Sequence, residues 1–283
     1  MPAIAPDIVH PRDLRVGELS PVVGDPQYPW HLLAEGDSWF SIGALPSSNL
    51  LYELRLKRWA QVFNIAYPGD TLRRVADLAA NRDLSTWLAK PNFATHFDAL
   101  LLSAGGNDLI AAAPRLLRSE PAAGALPDDP AAYVDAQALA ALLSDLRDGI
   151  ARIVALRDSE PSASRGAPLF VHTYDYLTPR NAPARFLNVP TRGPWLYPVL
   201  VAAGVNAEMR QRVARLLVDA LADTLLSLAL PAVHVVDTRN TLAPADPAST
   251  GSSGDWLNEI HPTPAGYRKI AARLSDAIDE TLG

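Results

Sequence analysis

Five short apolar runs, each followed by a loop and then a stretch of helical periodicity, leave this chain few architectures to choose from. The runs lie near residues 31–36, 61–66, 97–103, 168–173 and 232–237. Stretches such as Ala99-Leu100-Leu101-Leu102 are continuously apolar rather than alternating, as expected of strands buried on both faces. The helical stretches between them run over 49–59, 71–80, 133–157 and 206–228, and 264–281 closes the chain. In 133–157 the residues Leu139, Leu142, Leu143, Leu146, Ile150, Ile153 and Val154 keep the helical period. Pro264 stands where proline suits a helix start. Strands alternating with helices predict an α/β fold, with a parallel sheet covered by helices on both faces.

Three segments fall outside this alternation. Residues 1–28 hold five prolines and little periodicity, and are read as an N-terminal arm. The rest, 29–283, reads as a single domain with insertions near 111–131, rich in Ala and Pro, and near 174–200, rich in aromatics and Pro. No internal repeat is found.

The composition excludes some partners. A net charge of −6 speaks against nucleic acid as the main partner, and it offers no basic patch for anionic membranes. No apolar run reaches the ~18 residues of a membrane-spanning helix. The N-terminus lacks a basic and apolar leader, so the expected location is cytoplasmic. With no cysteine in the chain, disulfides and thiolate metal sites are ruled out.

Chemistry is concentrated where the apolar runs end. The first three runs finish in Gly36-Asp37-Ser38, in Pro68-Gly69-Asp70 and in Gly105-Gly106-Asn107-Asp108. In a parallel sheet these loops share one edge, the one where ligands bind. Ser38 is placed there as a candidate nucleophile. Backbone N–H groups beside the glycines, together with the Asn107 amide, are equipment for stabilising an oxyanion. Of six histidines, His31, His172 and His234 lie in apolar strands, while His10 and His96 are poorly placed. His261 follows the fifth strand on the same edge as Ser38, where it can act as a base.

These residues, in this order, resemble the four blocks of the GDSL esterase family, also called SGNH hydrolases. The resemblance spans roughly residues 30–280. It implies a three-layer flavodoxin-like fold with a five-stranded parallel sheet in the order 2-1-3-4-5. It also implies hydrolysis of small-molecule carboxylic esters with no metal or other cofactor. By the family pattern Ser38 is the nucleophile, Ser38 N–H, Gly69 N–H and Asn107 form the oxyanion hole, and His261 is the general base.

One position departs from the pattern. The family has Asp three residues before the histidine, and here that residue is Asn258. Three readings stay open for the partner of His261 Nδ1: the carboxylate of Asp255, the side-chain oxygen of Asn258, or a backbone carbonyl behind a Ser–His dyad. Asp255 is the expected one, because only a carboxylate stabilises the imidazolium by charge. A non-catalytic binding module on the same fold is the competing reading, with Asn258 as the feature in its favour. The second glycine of a Gly-x-Ser-x-Gly elbow is replaced by Phe40, which separates the chain from the α/β-hydrolases. No Gly-x-Gly-x-x-Gly follows the first strand, which speaks against a nucleotide-binding protein. Tyr174, Tyr176 and Trp195 emerge at the catalytic edge and are expected to line a substrate pocket.

Overall fold

A computed structural model describes residues 3–14, 22–42, 48–79, 81–124, 126, 128–186 and 189–283. Residues 1, 2 and 15–21 of the expected arm, residue 80 of the expected 71–80 helix, residues 125 and 127 of the 111–131 insertion and residues 187 and 188 of the 174–200 insertion lie outside the described residues.

Six parallel strands form the central sheet: β1 (Asp7–Val9), β2 (Trp30–Gly36), β3 (Ala60–Asn64), β4 (Ala99–Ser103), β5 (Leu169–His172) and β6 (Val233–Val236). Their spatial order is β1-β3-β2-β4-β5-β6. The five expected strands therefore take the expected order, and the sixth comes from the arm. Asp7, Ile8 and Val9 pair with Gln61, Val62 and Phe63 at the outer edge of the sheet. Three residues among prolines carry too short a pattern to read as a strand.

The centre of the sheet is dry because its strands are covered on both faces. Leu32, Leu33 and Ala34 of β2 are fully buried, as are Ala99 to Leu102 of β4. Right-handed crossovers explain how the helices divide. The β2-to-β3 connection runs opposite in direction to the later ones, so its helix Leu50–Glu53 lies on the other face. There it packs against the closing helix Pro264–Leu282. Helices Leu72–Val75, Arg82–Ala89, Gly106–Leu116 and Ala207–Leu226 gather around the long helix Ala136–Arg157.

Several expected helices are shorter or displaced. The helix expected over 49–59 ends at Glu53. The Arg55 and Lys57 N–H groups instead bond Ser275 Oγ and Asp279 Oδ1 of the closing helix, which draws that segment out of helical geometry. The helix expected over 71–80 covers only Leu72–Val75, and a second helix starts at Arg82 under an Asn81 cap. The first six residues of the expected 111–131 excursion belong to helix Gly106–Leu116, which runs through Pro114. The 174–200 insertion holds an antiparallel hairpin, Ala184–Phe186 with Val189–Arg192, and leads into helix Tyr197–Ala202.

This topology sets the position of the site. The connections leave β2 and β4 in opposite directions, and the crevice between their C-terminal ends is where such sheets bind ligands. Gly36 and Ser103, the last residues of these strands, are register partners. Gly36 has φ +140°, and a Cβ there would lie 2.2 Å from the Ser103 carbonyl oxygen. Only glycine lets the loop carrying Ser38 cross the end of β4 this closely.

Candidate active site

Ser38 opens a one-turn helix, Ser38–Ser41, directly after β2. Asp37 caps that turn by accepting the Trp39 N–H, and its own N–H bonds the Ser103 carbonyl. His261 lies in the loop between β6 and the closing helix. The sheet edge brings the two together across 223 residues of chain, with Ser38 Oγ 2.8 Å from His261 Nε2.

The third partner is Asn258. Its Oδ1 lies 3.1 Å from His261 Nδ1 and also accepts the backbone N–H groups of Ile260 and His261. Those two backbone donors fix the facing atom as the amide oxygen. His261 Nδ1 therefore carries the proton, and Nε2 is left to accept from the Ser38 hydroxyl. Burial of the ring lowers the His261 pKa to about 4, so it stands neutral near pH 7.

The expectation for Asp255 is corrected. Its Oδ2 bonds Lys269 Nζ at 2.5 Å and accepts the Ala243 N–H at 2.7 Å. Its backbone ties the same two neighbourhoods, through Asp255 N–H to Ala243 and Thr263 N–H to Asp255. Asp255 anchors the loop from outside and does not reach the ring.

Gly69 sits in the turn after β3 with φ +88°. Neither its N–H nor that of Ser38 is taken by an acceptor among the described residues. The Asn107 amide donates one N–H to the Asp70 carbonyl at 2.9 Å, which fixes its plane and leaves the second N–H. Ser38, Gly69, Asn107 and His261 line one cleft of about 480 Å³.

Of the three aromatics expected at a pocket, two are there. Trp195 borders the cleft and meets the His261 ring edge-on, with centroids 5.4 Å apart. Tyr174 lines a second, apolar pocket next to Ser38. Tyr176 lines neither: its hydroxyl bonds Asp219, and Arg215 stacks on its ring. Tyr174 has φ +64°, and after it the chain carries Tyr176 towards helix Ala207–Leu226.

Two supporting networks escape sequence reasoning. Beneath the nucleophile, Asp37 accepts the hydroxyls of Ser103 at 2.7 Å and Tyr174 at 2.6 Å. His172 Nδ1 accepts the Tyr174 N–H, so its Nε2 donates to Ser103, whose hydroxyl in turn donates to Asp37. Burial raises the Asp37 carboxyl to about 6, against the pull of these donors. The second network clasps the insertion to the histidine loop. Glu259 accepts the backbone N–H groups of Trp195, Leu196 and Tyr197, the last at 2.6 Å. In return, Arg180 of the insertion donates to the Asn258 carbonyl at 2.9 Å. Arg180 shares its stretch with Asp175, Arg185 and Arg192, and Glu259 its loop with Asp246 and Asp255, so nothing in the sequence singles out this pair.

A hydroxyl on a neutral imidazole, beside three N–H donors, is equipment for acyl transfer. The profile of the GDSL-like lipase/acylhydrolase family matches residues 34–269. The chain belongs to this family. Comparison with curated proteins finds no match. Among solved structures the chain is similar to an extracellular lipase from Streptomyces rimosus, at 14% identity and TM-score 0.45, covering 86% of this chain and 98% of that one. It is similar to an aryl esterase from M. smegmatis, at 14% identity and TM-score 0.45, covering 90% and 100%. An acetylxylan esterase from Geobacillus stearothermophilus is similar at 16% identity and TM-score 0.37, covering 90% and 95%. Against the GDSL pattern, the position three before the histidine is the one that differs, and Asn258 there meets the ring with an amide oxygen instead of a carboxylate.

Proposed function

We propose that the protein is a serine-dependent carboxylic ester hydrolase that works through an acyl-enzyme. The observation that carries this reading is the 2.8 Å contact between Ser38 Oγ and the unprotonated Nε2 of His261. Ser38 attacks the ester carbonyl while Nε2 takes its proton. The N–H groups of Ser38 and Gly69 and the free N–H of Asn107 hold the oxyanion. His261 then gives its proton to the departing alcohol, and water repeats the cycle on the acyl-enzyme. Asn258 keeps the ring in the right tautomer but adds no charge, so the imidazolium is less stabilised than beside a carboxylate. Asn258 is also the observation that favours the second reading, a binding module with a weakened site. Hydrolysis of p-nitrophenyl esters, lost in Ser38→Ala, supports the enzyme. Ligand retention by a folded protein that turns over no ester supports the module.

A further inference from the structure

Two cavities meet at Ser38, and they differ in kind. The cleft holding His261 is the larger and of mixed lining, with His10, Arg12 and Arg192 bordering it beside Ile42 and Ala66. The second pocket, about 60 Å³, is walled by Leu109, Ile110, Leu177, Leu217, Val218 and Leu221. Ser38, Asn107 and Ile260 belong to both, so the reacting carbon sits at their junction.

We propose that the apolar pocket is the acyl site and the larger cleft is the alcohol site, so the preferred substrates carry an unbranched acyl chain longer than acetyl. This rests on the hydrolase reading above. The assignment of sides follows from the reaction. When the tetrahedral intermediate collapses, the carbon–oxygen bond to the alcohol breaks and that oxygen takes the proton from His261 Nε2. The leaving oxygen must therefore lie within hydrogen-bond reach of His261. His261 borders the cleft and does not border the apolar pocket. The alcohol leaves through the cleft, and the acyl chain, bonded to Ser38 Oγ, takes the other side.

The pocket suits a hydrocarbon chain. Apart from the reacting groups and the buried Trp256 indole N–H, which has no partner among the described residues, the polar groups on its wall are engaged. The Tyr174 hydroxyl is spent on Asp37, and the Asp175 carboxylate accepts the backbone N–H groups of Asn240, Thr241 and Leu242. A methylene taken from water into such a lining is worth about fourfold in kcat/KM.

The test holds the leaving group constant and varies the chain: p-nitrophenyl acetate, butanoate, hexanoate and octanoate. From acetate to butanoate kcat/KM should rise about tenfold, two methylenes at the discount of a partly filled pocket. Ile110 is half-buried, so Ile110→Trp should fold and narrow the pocket, cutting the hexanoate-to-acetate ratio of kcat/KM at least about tenfold. Leu217→Ala should move the optimum to a longer chain. If either variant fails to fold, the wild-type series still decides. Acetate as the best wild-type substrate, or an Ile110→Trp ratio equal to wild type, overturns the assignment while leaving the hydrolase reading intact. No turnover of any ester, together with no labelling of Ser38 by a fluorophosphonate, fails the hydrolase reading instead.

Discussion

Asn258 Oδ1 stands 3.1 Å from His261 Nδ1, where a charged triad would put a carboxylate. The same oxygen accepts two backbone N–H groups of its own loop, so one neutral atom both shapes the loop and sets the tautomer of the ring. Asn258→Ala should lower kcat by about a hundredfold or more, because the ring loses the tautomer lock. Asn258→Asp should raise kcat, since a carboxylate stabilises the imidazolium. Asp255→Ala should leave kcat within a fewfold and cost about 1 kcal/mol of stability, the bond to the Ala243 N–H, with little added by the half-exposed Lys269 pair. Steady-state kinetics and urea unfolding of the three variants check this set. A larger kcat loss in Asp255→Ala than in Asn258→Ala would contradict it.

The pH profile follows from the ring. Burial depresses His261 to about 4, so the base is neutral and active from pH 8 down through pH 5. The acid limb of kcat/KM due to His261 should have its midpoint near 4, not near the ordinary 6.5. In Asn258→Asp the new charge favours the imidazolium and should move that limb upward. Stability carries the same sign. His261 and His172, the latter lowered to about 3 by burial, favour the fold fully above the unfolded value of 6.5. That contribution is lost as pH falls through their folded values. A wild-type acid limb at 6 to 7 that does not move in Asn258→Asp would contradict the assignment.

Asn107 has one N–H tied to the Asp70 carbonyl and the other free for substrate. Asn107→Ala should lower kcat by about a hundred- to a thousandfold. Its effect on KM should be small, because the oxyanion forms only as the reaction proceeds. Values of kcat within a fewfold of wild type would remove Asn107 from the oxyanion hole.

Glu259 acts at a distance from the reacting atoms, by holding residues 195–197 against the histidine loop. Glu259→Ala leaves three backbone donors without an acceptor and releases Trp195 from the His261 ring. It should lower both the melting temperature and kcat, and shift the tryptophan fluorescence toward the red. Glu259→Gln keeps an acceptor oxygen and should recover most of the loss. Equal damage from Ala and Gln would mean that charge, not clasping, is what matters.

Much of this molecule was legible because α/β folds place their chemistry by rule. Ser38, Gly69, Asn107 and His261 each follow an apolar run, and a parallel sheet gathers such loops on one edge. What failed to show depends on direction rather than position. Asp255 and Asn258 lie in the same loop, and no pattern tells which side chain turns inward and which goes to Lys269. Tyr174 and Tyr176 are two residues apart, yet a positive φ at Tyr174 accompanies a split in which one ring goes to the site and the other to a surface helix. The bonds from Arg180 to the 249–258 loop and from Glu259 back to 195–197 join segments tens of residues apart, with no local signature. Strand β1 escaped because it forms by borrowing an edge that β3 already offers.

The most direct test of the central claim is covalent labelling of folded protein at pH 7.5 with a fluorophosphonate, read by peptide mass spectrometry alongside ester hydrolysis. The predicted result is one phosphonyl adduct on Ser38, with activity lost in step with labelling and labelling abolished in His261→Ala. Unlabelled Ser38 in a protein that hydrolyses esters, or labelling unaffected by His261→Ala, would contradict the claim that His261 makes Ser38 a nucleophile.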